Sequence, residues 1–237
     1  MSAAKPAVLM VISSHKPGWY LPELAHPFDI LEPYCNITIA SHLGGDAPPD
    51  QKSVELFKND EICARFYETK QDLWKNSQKL EDFKGNAERF DAICFIGGYG
   101  PMFDVIDSKA AEEVILDFYN QKKLLSGICH GSAAFAHVRD PSSGKFIIDG
   151  HKAVGVSNKE CELLFPATGV VEPWSVETEL DKATGGKYEK AENPFDGHVV
   201  VSKSADGRTF ITGQNPASGL GLGKAIYEEL FGKTYGA

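Results

Sequence analysis

Leu124-Leu125-Ser126-Gly127-Ile128-Cys129-His130-Gly131-Ser132-Ala133-Ala134 is the stretch whose reading decides the fold. It opens as an apolar run of strand length and continues in small residues that suit a helix. Between the two parts Cys129 is closely flanked by Gly127 and Gly131, which permits a tight strand-to-helix turn of the nucleophile-elbow kind. A helix N-terminus aims free N–H groups and its positive dipole end at the sulfur, so a thiol of lowered pKa is expected. In an open α/β sheet such a turn lies at the carboxyl end of a strand, where sites form. A buried structural cysteine is the competing reading. The adjacent His130, a base or orienting group beside the thiol, favours chemistry.

Outward from this turn, short β-branched runs at 8–12, 37–40, 92–96 and 124–128 alternate with helical patterns at 21–33 and 108–121. That alternation predicts an α/β three-layer sandwich with a mostly parallel central sheet, flavodoxin-like or Rossmann-like. Val199-Val200-Val201, Asp206-Gly207 and Phe210-Ile211-Thr212 read as a hairpin with an Asp-Gly turn, and 215–231 as a last helix. The polar segment 53–90 reads as a small helical insertion that caps one end of the sheet. One domain, 1–237, is expected.

Composition narrows the function. With 42% hydrophobic residues and a net charge of -9 over 237 residues, a packed globular chain is expected, and nucleic-acid or anionic-membrane partners are disfavoured. None of the five cysteines lies within four residues of another, so neither zinc-site spacing nor a CxxC pair is present. An odd count suits a reducing compartment. The apolar run that follows Met1 to Pro6 is too short for a signal peptide or membrane span, and Tyr235-Gly236-Ala237 matches no address signal. A cytoplasmic protein, with access to the nucleus, is expected.

Two further segments fit the same site. Gly97-Gly98-Tyr99-Gly100 follows a strand and lets backbone N–H groups approach a developing oxyanion. It lacks the G-x-G-x-x-G spacing of a dinucleotide fingerprint. Glu23 falls just inside the helix after the first strand, where a carboxylate either complements the dipole or serves the site.

Together these segments resemble the ThiJ/PfpI superfamily, with its class I glutamine-amidotransferase-like fold, and within it the fungal heat-shock-chaperone-like glyoxalase III branch. The resemblance covers nearly the whole chain. It rests on ELAHPFD around Glu23, GGYGPMFD from Gly97, GICHGSAAF from Gly127, SGKFIIDGHKAVGVSN from Ser143 and ITGQNPASG from Ile211. It implies a glutathione-independent glyoxalase, or D-lactate dehydratase, acting on a small dicarbonyl with no cofactor and no metal, and it implies a homodimer. Cys129 would attack the aldehyde of methylglyoxal and Glu23 would carry a proton between the two substrate carbons. His130 would assist hydrolysis, with the N–H groups of Gly98 and His130 on the oxyanion.

This chain departs from the family twice. Tyr99 stands where many relatives have histidine, and Cys161 stands where glyoxalase members place the carboxylate that orients the histidine. Glu160 and Glu162 flank that position and are the candidates for a third triad member, although Ser157 and Glu160 also have capping-box spacing. If no carboxylate reaches His130, a redox-sensing stress chaperone or deglycase, in which Cys129 is oxidised, becomes the better reading. A peptidase of the same fold is a third.

Overall fold

The computed structural model describes residues 4–236. Met1 to Ala3 and Ala237, parts of the termini read above for leader and address signals, lie outside the described residues. The first half of the chain runs β1 (Ala7–Ile12), α1 (Leu21–Leu31), β2 (Asn36–Ser41), α2 (Gln51–Leu56), α3 (Glu61–Thr69), α4 (Gln71–Lys75) and β3 (Gln78–Lys79). The middle holds β4 (Ala92–Phe95), α5 (Pro101–Asp104), α6 (Lys109–Asn120) and β5 (Leu124–Ile128). After it come α7 (Asn158–Thr168), α8 (Val176–Thr184), β6 (Val199–Lys203), β7 (Thr209–Gly213) and α9 (Gly219–Phe231).

The strands form one sheet in the order β3-β2-β1-β4-β5-β7-β6. Each pair is parallel except β6 with β7. β4 and β5 are buried along their whole length, which explains why they read as unbroken apolar runs and show no alternation. The chain leaves β1 towards β2 and leaves β4 towards β5, in opposite directions along the sheet. Right-handed crossovers therefore put α1 and α6 on opposite faces. α9 and α3 pack on α1, while the 3-10 turn Leu80–Phe83 packs on α6. The result is the three-layer α/β sandwich that the sequence predicts.

Two features differ from the sequence reading. The small residues after the elbow form a 3-10 helix, Cys129–Phe135, so the segment is short and has little dipole to direct at the sulfur. The insertion does more than cap an end. Its two-residue strand β3 extends the sheet beyond β2, a pairing too brief to leave a periodic signal. No described helix is long and apolar enough to cross a membrane.

Candidate active site

Strand order reverses between β1 and β4, and a crevice opens beyond the carboxyl ends at such a switch point. Three connections meet there: β1 to α1 carries Glu23, β4 to α5 carries Gly97 to Tyr99, and β5 leads directly into Cys129. Cys129 has φ 57, a left-handed conformation that costs a non-glycine residue of order 1–3 kcal/mol and tends to persist where function uses it. The kink turns the sulfur out of the strand line towards a cavity of about 390 Å3. Gly97 makes the approach of carboxylate and thiol possible. A Cβ there would lie 2.5 Å from Glu23 Oε2 and 2.8 Å from Cys129 Cβ.

His130 lies with Nδ1 3.4 Å from Cys129 Sγ and Nε2 3.0 Å from Glu172 Oε1. The second contact assigns the proton to Nε2, which donates to the carboxylate, and leaves the Nδ1 lone pair facing the sulfur. Tyr99 packs its ring 4.7 Å from the imidazole. Its hydroxyl is pushed by burial up to about 12, so it remains a neutral wall at ordinary pH. Glu23 is 1% exposed, and neither carboxyl oxygen meets hydrogen-bond geometry with any described residue.

Burial raises the Glu23 carboxyl well above its ordinary range. The nearby Cys129 thiol only partly offsets this, and the Glu160 charge adds to it. The Cys129 thiol is likewise held well above its ordinary value, by burial first and then by Glu23 and Glu160. The lowered thiol pKa expected from the elbow is therefore corrected: desolvation and two carboxylates outweigh a short 3-10 start. Glu172 moves the other way. Burial acts to raise it, but the His130 hydrogen bond and charge bring it below the ordinary carboxylate value.

The carboxylate that orients His130 is Glu172, neither Glu160 nor Glu162. Glu160 Oε2 accepts from Ser157 N, Ser157 Oγ and Gln214 Nε2, and its Oε1 accepts from Asn215 Nδ2. Those bonds cap α7 and tether the start of the last helical segment, so the group is fully engaged. Glu162 points into solvent and pairs with Lys159 at 3.0 Å. Glu172 follows the turn at Gly169, whose left-handed φ of 62 ends α7, and the chain there doubles back on His130. Counting without gaps from Cys129 stops at Cys161 and misses it. The one local sign was Glu172-Pro173, a carboxylate held in extended chain before a proline.

Other residues around the site take different places. Tyr20, Gly98, Tyr99 and Asn215 line the cavity, whereas Trp19 is fully buried in the core. Trp174 lies away from the cavity, donating from Nε1 to Asp107 Oδ2 at 2.9 Å. His26 Nε2 meets Asp60 Oδ2 at 3.1 Å. Among the described residues, two groups have ligand atoms close enough to share a metal ion: His26, Asp60 and Cys63, and His130, Cys161 and Glu172.

An open α/β sheet with a strained cysteine elbow, a histidine–glutamate pair and a buried carboxyl beside the sulfur defines a class of thiol proteins built at a switch point. No protein-family model matches the chain. Among curated proteins it is 28% identical to "Glyoxalase 3" of Candida albicans over 86% of each chain. It is 25% identical to "Glutathione-independent glyoxalase HSP31" of Saccharomyces cerevisiae, over 86% of this chain and 85% of that one. Among solved structures, the Rapid Encystment Protein 24 KDa of Francisella tularensis is 33% identical, with a TM-score of 0.75 over 95% of this chain and 99% of that one. A ThiJ/PfpI domain protein of Brachyspira murdochii shares the fold, with a TM-score of 0.63 at 17% identity over 98% of this chain and 100% of that one. Over most of its length the chain is thus similar to fungal glutathione-independent glyoxalases, and it shares the fold of a ThiJ/PfpI domain protein.

Proposed function

We propose that this protein is a glutathione-independent glyoxalase of the D-lactate dehydratase type, converting methylglyoxal to D-lactate through a Cys129 hemithioacetal. One observation carries the reading. Glu23 is buried beside the reactive sulfur, which only partly offsets the burial of its carboxyl, an arrangement that costs stability and supplies a base of raised pKa. The names of the two fungal relatives support it.

In this mechanism Sγ bonds to the aldehyde carbon as the thiol proton passes to Glu23 and on to the carbonyl oxygen. The regenerated carboxylate then takes the proton from that carbon. The electron pair left behind forms an enediolate; Glu23 returns the proton to the former ketone carbon, and the hydroxyl proton on the sulfur-bearing carbon passes to the neighbouring oxygen, leaving a 2-hydroxy thioester. The aldehyde carbon is oxidised and its neighbour reduced, so no external oxidant enters. Water adds to the resulting thioester with His130 as base, and the C–S bond breaks to release lactate and thiol. A carboxyl pushed upward by burial suits proton transfer from carbon better than an ordinary one. Gly98 N–H donates to no other group among the described residues, and with the His130 N–H it serves the oxyanion.

Glu172 bears on the alternatives. The sensor reading depended on His130 having no orienting carboxylate, and a contact of 3.0 Å favours hydrolytic turnover instead. As a positioning residue, Glu172→Gln is expected to lower kcat about 10- to 100-fold with little change in KM. It is also expected to move the pH profile of Cys129 alkylation upward, because the imidazolium loses its counter-charge. A merely structural loss leaves that profile in place. The five free thiols suit a reducing cytoplasm, and the homodimer implied by the family likeness is checked by light scattering.

The test is methylglyoxal turnover in D2O without glutathione. The expected product is D-lactate whose C2 hydrogen is the one Glu23 returns, protium if the buried carboxyl keeps it and solvent deuterium if it exchanges first. Solvent deuterium at C2 excludes a direct hydride shift, and no lactate sinks the assignment.

A further inference from the structure

The cavity above Cys129 is too large for methylglyoxal alone. Its volume is about 390 Å3. Five heavy atoms, at a liquid-like allowance of about 30 Å3 each, take about 150 Å3. Cavities of about 300–1,000 Å3 hold far larger ligands. The unfilled part has a definite chemistry. Glu23, Cys129 and His130 are 1%, 6% and 3% exposed and form the floor. Towards solvent the lining changes to Leu56, Leu164 and Phe195, which are 71%, 38% and 51% exposed. Large apolar side chains left in water around one opening mark a contact surface.

Charge excludes one kind of occupant. The cavity is lined by three carboxyl groups, Glu23, Asp50 and Glu160, and by one ammonium, Lys52. Lys52 Nζ already donates to Ala167 O at 3.0 Å across the opening. An anionic group brought in with the substrate would face the Asp50 and Glu160 carboxylates against the single Lys52 ammonium, which is already turned to Ala167 O.

We infer that the preferred substrates are 2-oxoaldehydes whose ketone carbon carries a neutral, apolar substituent of up to about eight heavy atoms, the number that fills the remaining volume. This rests on the glyoxalase reading and specifies its substrate class. The dicarbonyl end sits at Cys129 and Glu23, and the substituent lies along Leu56, Leu164 and Phe195. The reaction keeps the same balance: R–CO–CHO and one water give R–CH(OH)–COOH, with the C–S bond made in attack and broken in hydrolysis.

The test compares kcat/KM for methylglyoxal, 2-oxoheptanal and 4,5-dioxopentanoate. Each buried methylene is worth about fourfold. Because the rim is partly open to water, 2-oxoheptanal is expected to exceed methylglyoxal by about tenfold or more, and the anionic dioxopentanoate to fall below it. Leu56→Asp combined with Phe195→Ser is expected to bring the ratio of 2-oxoheptanal to methylglyoxal close to one. Methylglyoxal equal to or better than 2-oxoheptanal in the wild type overturns the inference and leaves the glyoxalase reading standing. A ratio unchanged in the double variant also overturns it, because the assigned wall is then wrong. If none of the three aldehydes is turned over, the glyoxalase reading itself fails.

Discussion

Replacing Cys129 by alanine is expected to lower kcat/KM for methylglyoxal on the order of 10^4-fold or more, the scale of removing a covalent nucleophile. No neighbouring group can take over. Cys161 lies on the Glu172 side of the imidazole, and burial, with Glu172 beside it, pushes its thiol upward. Ser132 is fully buried and donates to Gly213 O at 3.5 Å. Alanine accepts φ 57 no worse than cysteine does, so the fold is expected to survive, with stability within about 1 kcal/mol of wild type. Serine is expected to fare little better than alanine, since a hydroxyl is a weaker nucleophile for the same geometry. Steady-state lactate formation, with circular dichroism as the folding control, makes the measurement. Turnover within tenfold of wild type in the alanine variant removes Cys129 from the mechanism.

Glu23→Gln is expected to separate activity from stability. Loss of the proton carrier lowers kcat about 10^2- to 10^4-fold, while the folded protein gains stability at neutral and alkaline pH. The sign follows from burial. The folded-state pKa of Glu23 lies above its unfolded value, so between the two the native chain binds more protons than the unfolded one. Stability of the wild type therefore falls as pH rises through that window. Glutamine does not titrate, so the variant escapes the fall. Below the ordinary carboxyl range the two proteins melt alike. Above it the gap opens by up to about 1.4 kcal/mol per pH unit, then stops growing once the folded carboxyl ionises. Urea titrations across pH measure it. A gap that is flat with pH, or that favours the wild type, contradicts a carboxyl held up by burial.

Much of this architecture was legible in the chain. β1, β4 and β5 were visible because buried parallel strands write themselves as apolar runs, β2 through its β-branched Ile37-Thr38-Ile39, and β6–β7 because an Asp-Gly turn needs few partners to be recognised. Cys129, Glu23 and Gly98 meet because each lies on the chain that leaves the carboxyl end of a central parallel strand, Cys129 and Gly98 in the turn itself and Glu23 in the first turn of the following helix. What failed depends on chain reversal. Glu172 reaches His130 only because α7 ends at Gly169 and the following loop folds back, and neither event is set by spacing from the elbow. The thiol environment failed for a different reason. A local turn suggests a dipole, but desolvation is a property of everything packed around it, and no stretch of eleven residues contains that information.

Glu160 carries a warning for anyone scanning this chain for essential positions. It lines the cavity, yet it also fastens Ser157 to Gln214 and Asn215, joining segments more than fifty residues apart. An inactive variant at this position has lost a rivet and not a reagent, and activity alone cannot separate the two. Thermal melting can, because only the loss of a fastener loosens both ends at once.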